Sequence, residues 1–162
     1  MYGRKSGGFK NIGPFKNSLI ALLLTAALLG CQQTTPTESS NNPTKPLIQA
    51  VGPIAQLQLE WADSPQKQQI GLMNRAQLPE NSGMVFVFQQ VKAHCFWMKN
   101  TLIPLDIGFI DAQGRLVQIE SMQAQTTDAH CPKQDVAYAL EVNQGWFKQH
   151  QVKVGTQILK IQ

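Results

Sequence analysis

Two dipeptides, His94-Cys95 and His130-Cys131, hold the residue types in this chain best suited to chemistry. With reduced thiols, the four side chains are the donor set of a Cys₂His₂ zinc or copper site. With oxidised thiols, Cys95 and Cys131 form a disulfide whose loop stabilises a fold by roughly 3–4 kcal/mol in the chain-entropy account. Adjacent side chains on an extended strand point to opposite faces, so a His and its neighbouring Cys meet one metal only where the backbone turns. In an oxidising envelope an even pair of cysteines is expected as a disulfide, with no metal and no other cofactor; a metal site on the two His-Cys pairs and free thiols are its rivals. Met73, Met84, Met98 and Met122 are soft donors, but they are scattered singly and read as core. Trp97 and Trp146 could serve as ligand platforms, with burial expected for at least one.

The third cysteine, Cys31, belongs to a different segment. Arg4, Lys5, Lys10 and Lys16 precede an uncharged apolar run, Leu19 to Leu29, followed by Gly30-Cys31. A basic stretch and a short apolar run make an export signal rather than a membrane-spanning helix. Leu28-Leu29-Gly30-Cys31 resembles the lipobox of bacterial lipoproteins, which implies cleavage after residue 30 and lipidation of Cys31; ordinary cleavage giving a soluble periplasmic product is the alternative. Gln32 after the cysteine, rather than Asp, favours the outer membrane by the same resemblance. Residues 31–46 are Thr, Ser, Asn and Pro with almost nothing apolar, the composition of a disordered tether. The chain carries 14 basic and 10 acidic residues, and four of the bases lie in the export signal, so the part from residue 31 is neutral. That excludes the basic face of a nucleic-acid binder.

Residues 47–162 form the remaining unit, a normal size for one domain. Ala55 to Trp61 alternates apolar and polar residues, as a half-buried strand does. Ser64-Pro65 predicts a helix start with Ser as cap, the helix running towards Met73. Met84 to Phe88 reads as a strand buried on both faces. Leu102–Ile110 and Leu116–Glu120 predict a hairpin across the turn residues Asp111 to Gly114. Val136 to Val142 alternates again, Asn143 is placed to cap a brief helix through Trp146 and Phe147, and Thr156 to Ile161 is a closing strand. The expected fold is mainly β, a jelly-roll-like sandwich or small barrel with two short helices and no β-α-β alternation. Phosphate-binding glycine loops, GxSxG elbows and HExxH helices are absent.

Four strings now stand out in order: Gly71 to Arg75 (GLMNR), Gly83 to Phe88 (GMVFVF), Phe96 to Ile107 (FWMKNTLIPLDI) and Ala139 to Trp146 (ALEVNQGW). Together they resemble the DUF192 family over roughly residues 54 to 161. The resemblance implies a compact jelly-roll-like β-domain, often exported, and it brings no biochemical function.

The polar residues of these strings are Arg75, Lys99, Asn100, Asp106 and Glu141, with Lys99 expected in solvent. Alternation sets Asp106 with Pro104 and Gly108 on one strand face, and Glu141 with Ala137 and Ala139 on another. Small residues beside an acid leave room for a ligand or a loop, and Arg75 is the natural counter-charge. Arg75 is thus expected close to Asp106 or Glu141, with Asn100 nearby, at a shallow pocket. The functional expectation is a non-catalytic binding or interaction module, lipid-anchored to the outer membrane and facing the periplasm. Its partners are the membrane through the anchor and an envelope protein or small ligand, and not nucleic acid. The rivals are a small envelope hydrolase using Asp106 and Glu141, and the metal-binding domain above.

Overall fold

The computed structural model describes residues 47–162, so the expected export signal, the expected lipidation site Cys31 and the expected tether lie outside the described residues. In chain order come β1 (Ile48–Ala50), β2 (Gln58–Ala62), α1 (Pro65–Ile70), β3 (Ser82–Lys92), β4 (Leu105–Ile110), β5 (Leu116–Met122), β6 (Val136–Asn143), α2 (Trp146–Gln149) and β7 (Leu159–Ile161). The chain is mainly β with two short helices, as its residue patterns predict. Five strands make one mixed sheet in the order β2-β3-β6-β4-β5, while β1 and β7 pair as a separate antiparallel ribbon.

One pairing departs from expectation. β2 and β3 are parallel, running from Gln58 opposite Ser82 to Ala62 opposite Phe86, with α1 in the connection between them. A β-α-β crossover is therefore present. It escapes a sequence reading because α1 has only six residues, well short of the periodic run by which such a unit is recognised. Ser64 does cap α1, its Oγ accepting from Lys67 N–H at 3.3 Å, and Pro65 occupies the first turn. The helix stops at Ile70 rather than near Met73 because Gly71 takes φ 49°, ψ −131°, a conformation open essentially to glycine. Gly145, at φ 86°, caps α2 in place of Asn143. The Asn143 amide instead donates to the carbonyls of Leu78 and Pro79, at 3.0 and 3.2 Å.

The sheet is buried on both sides. Val85, Leu140 and Val142 project to one face, where Ile48, Leu159 and Ile161 of the ribbon and Trp146 and Phe147 of α2 cover them. Met84, Phe86, Ile107, Phe109 and Ala139 project to the other face, under Leu72, Leu78 and Met98 from the irregular segments. Alternate residues of each central strand thus feed two separate cores, which is why Gly83 to Phe88 reads as an unbroken apolar run. The second face is roofed by loops rather than by strands, and the candidate site opens there.

Candidate functional site

The loop that follows α1 and the loop Phe96–Thr101 stand side by side over the second face. Asn74 N–H donates to the Asn100 carbonyl at 2.8 Å, tying them together. Both asparagines hold positive φ, 59° and 62°, a left-handed conformation that Asn tolerates better than most residues. Gln68 of α1 donates through Nε2 to the carbonyls of Ala62 and Val87, at 3.2 and 2.6 Å, strapping the helix across the parallel pair. Between loops and sheet lies a cavity of about 590 Å³. All four strings singled out in the sequence contribute to it: Gly71 to Met73, Phe86 and Phe88, Phe96, Trp97 and Lys99 to Thr101, and Glu141.

Its walls are aromatic. Phe96 meets Phe86 edge-on, centroids 4.9 Å apart, and Phe88 stacks on the His94 ring at 3.8 Å. His94 Nε2 lies 2.8 Å from the Gln90 carbonyl, which only accepts, so that nitrogen carries the proton. Trp97 is 55% exposed at the mouth, with Lys99 Nζ 5.8 Å from its ring centroid. Trp146, by contrast, is buried, as are Met84, Met98 and Met122.

The floor is acidic. Glu141 is buried and has no hydrogen-bond or ion-pair partner among the described residues. A side-chain carbon placed on Gly71 would stand 3.3 Å from the Phe86 ring and 4.0 Å from Glu141 Oε2, so the missing side chain keeps the floor open. Burial disfavours the charged carboxylate and pushes the Glu141 pKa from 4.5 up to about 8. At neutral pH this group is chiefly a carboxylic acid, able to donate as well as accept.

The other expected site residues divide. Asn100 does share the cavity with Glu141. Asp106 does not: pairing of β4 with β6 sets Asp106 opposite Val142 and Ile107 opposite Glu141, so the two acids project to opposite faces. They cannot flank one scissile bond, and the hydrolase built on that pair is corrected. Alternation assigns faces within each strand, but the phase between two strands is set by register, which one sequence does not reveal. Asp106 is buried on the first face, accepting from Ser121 Oγ at 2.6 Å and from Gly145 N–H at 2.9 Å, where it anchors the start of α2. Asp106→Ala is expected to lower stability by about 2 kcal/mol, since it removes the acceptor of two hydrogen bonds worth about 1 kcal/mol each. Urea denaturation of the variant checks this, and a loss below about 0.5 kcal/mol would show the anchor to be dispensable.

Arg75 is likewise corrected. Its guanidinium makes a two-pronged pair with Glu60 on β2, Nη2 lying 2.8 Å from Oε2 and Nη1 on Oε1. The hydrogen bond from Arg75 holds the Glu60 carboxyl below its ordinary value of 4.5. Glu60 is half exposed, so the pair contributes about 0–1 kcal/mol. Arg75 lines a smaller neighbouring hollow of about 360 Å³ with Glu60, Trp61 and Met84, and not the Glu141 cavity. Glu60 belongs to a strand read only for its alternation, so its role as the counter-charge was missed.

Cys95 and Cys131 form a disulfide, with Cα atoms 4.2 Å apart. The thiols are joined to each other, which corrects the Cys₂His₂ alternative. His130 Nδ1 lies 3.0 Å from Glu120 Oε2, and no cluster of three or more His, Cys, Asp or Glu is placed to hold a metal among the described residues. The disulfide adjoins an isolated bridge in which Phe96 and His130 exchange two backbone hydrogen bonds of 2.8 Å. It pins the aromatic wall of the cavity.

Residues 47–159, most of the chain, match the DUF192 family, described as "Uncharacterized ACR, COG1430". The chain belongs to the DUF192 family. Two solved structures resemble this DUF192 domain, each with a TM-score of 0.62. One is a protein from Sinorhizobium meliloti 1021 named as a candidate transcription regulator; it is 35% identical, the match covering 65% of this chain and 81% of that one. The other is a protein of unknown function from Novosphingobium aromaticivorans DSM 12444, 28% identical over 72% of this chain and 83% of that one. No curated protein matches the chain.

Proposed function

We propose that this DUF192 domain is a small-molecule binding module, held at the periplasmic face of the outer membrane by a lipid on Cys31. The observation that carries the binding reading is the cavity itself: about 590 Å³, walled by aromatic rings, with one carboxyl at its floor that has no partner among the described residues. Largely apolar pockets of a few hundred Å³ with a few placed polar groups are the usual form of small-ligand sites. A buried acid without a partner destabilises a fold, and such groups concentrate where a ligand completes them. The anchor and location rest on the basic and apolar leader, the lipobox-like Leu28 to Cys31 and the polar tether. The regulator name of the Sinorhizobium protein draws no support from this chain, which from residue 31 onward has as many acidic as basic residues.

A set of aromatic fragments screened against the purified full chain by two-dimensional amide NMR tests the reading. Fragments are expected to shift the resonances of Gly71, Phe88, Trp97 and Thr101 together. Shifts confined to other regions, or no shifts from any fragment, would overturn it.

A further inference from the structure

The chemistry of the cavity narrows what it holds. Among the described residues, Glu141 is the only acid of the lining and Lys99 its only formal cation. Lys99 stands at the exposed mouth over Trp97, whereas Glu141 lies at the buried floor. Among the described residues no cationic side chain lines the pocket beside Glu141; Arg75 is bound to Glu60 in the adjoining hollow. The neighbours that can be placed around Glu141 are Met84 and Ile107 on the flanking strands, Gly71 above it and the Phe86 ring, and none of these titrates. His94 and Lys99 are the other titratable groups of the pocket.

Three ligand classes can be compared on that ground. An anion at the floor meets an acid and no counter-charge. A neutral polar ligand satisfies the protonated acid but leaves its charge capacity unused. An organic ammonium supplies a counter-charge that no described residue of the lining gives Glu141, and aromatic rings such as Phe86, Phe88, Phe96 and Trp97, which line the cavity, attract cations through their ring quadrupoles. The chain already shows this affinity once, in Lys99 over Trp97. We propose that the cavity takes an organic ammonium compound, its cationic nitrogen on the Glu141 carboxylate and its carbon frame against the aromatic wall. The proposal rests on the binding reading above and names its ligand class.

On this account the ligand binds the ionised form of Glu141, which is the minor form in the empty pocket at neutral pH. Binding therefore releases a proton from Glu141, and affinity rises with pH until that group is ionised.

The test is calorimetric titration of the full chain with three probes of matched frame: phenethylammonium chloride, 2-phenylethanol and 3-phenylpropionate. Phenethylammonium is expected to bind at least about tenfold more tightly than the alcohol at pH 8, and its affinity to rise about tenfold per unit between pH 6 and pH 7. Glu141→Gln, checked for folding by circular dichroism, is expected to abolish both the preference and the pH dependence. Equal or tighter binding of the alcohol, with affinity falling above pH 8, would overturn the ammonium class while leaving the pocket in use. Preference for 3-phenylpropionate would overturn it too, and point to Lys99 at the mouth. If none of the three probes binds while other fragments still shift the amides of Gly71, Phe88, Trp97 and Thr101, the ammonium class falls and the binding site stands. Silence in both experiments removes the site as well.

Discussion

Glu141→Gln is expected to make the domain more stable at pH 7, by roughly 3 kcal/mol, although it alters the candidate site. The Glu141 carboxyl has its folded-state pKa raised from 4.5 to about 8 by burial. Below pH 4.5 the acid is protonated in both folded and unfolded chains and contributes no difference. As pH rises from there the unfolded chain releases the proton and the folded one keeps it. Stability then falls by about 1.4 kcal/mol per unit until the folded pKa is passed. Gln keeps the size of the neutral acid and does not ionise, so the variant escapes this loss. Thermal melts of both proteins from pH 4 to pH 9 check the prediction, with His94, His130 and His150 common to the two. The curves should coincide near pH 4 and diverge in favour of Gln above it. Parallel curves across the whole range would mean that Glu141 is not destabilised by its surroundings. A ligand carrying positive charge should close the gap in the parent protein and leave Gln unaffected, which links the stability experiment to the binding one.

Removing the disulfide is expected to cost about as much. Cys95 and Cys131 are 36 residues apart in sequence, and closing a loop of that size lowers the unfolded-chain entropy by roughly 3–4 kcal/mol at room temperature. Both cysteines are exposed, so Ser in their place leaves no void and buries no new polar group. The double Cys95→Ser, Cys131→Ser variant should lose that stability in urea denaturation. It should also loosen the wall of the cavity, because Cys95, Phe96 and Trp97 are consecutive in that wall and the Phe96–His130 bridge lies beside the bond. Weaker aromatic-fragment binding with an otherwise native amide spectrum is the expected sign. A loss of less than about 1 kcal/mol, with binding intact, would show the bridge and core packing to hold the wall by themselves.

How much of this was legible in the residues differs by kind of information. Ser64-Pro65 announced α1 and the Asp111–Gly114 turn announced the β4–β5 hairpin, because caps and turns are local chemistry. The unbroken run at Met84 to Phe88 announced a strand buried on both faces. The parallel β2–β3 pair was hidden because its crossover is mostly irregular chain. The site was half legible. Small residues beside Glu141 suggested open space there, and Ala139 does share its face. Placing Asp106 in the same pocket required the β4–β6 register, and pairing Arg75 with Glu60 required knowing that the loop after α1 returns towards β2. Both depend on long-range geometry that one sequence does not encode in any short pattern. The aromatic wall from Phe86, Phe88 and Phe96 read as ordinary core, since a ring lining a cavity and a ring filling one have the same sequence signal.

The ribbon has a topological consequence. Ile48 pairs with Ile161, and Gln162 N–H donates to the Leu47 carbonyl at 3.1 Å, so the first and last described residues touch. The backbone of the domain is thus almost a closed ring. A few added residues could join residue 162 to residue 47, and new ends could be opened elsewhere, for instance in the Asp111–Gly114 turn, without reversing any strand. The same adjacency suits the domain to being carried inside a surface loop of another protein, entering and leaving at one point, with the cavity travelling as a self-contained insert.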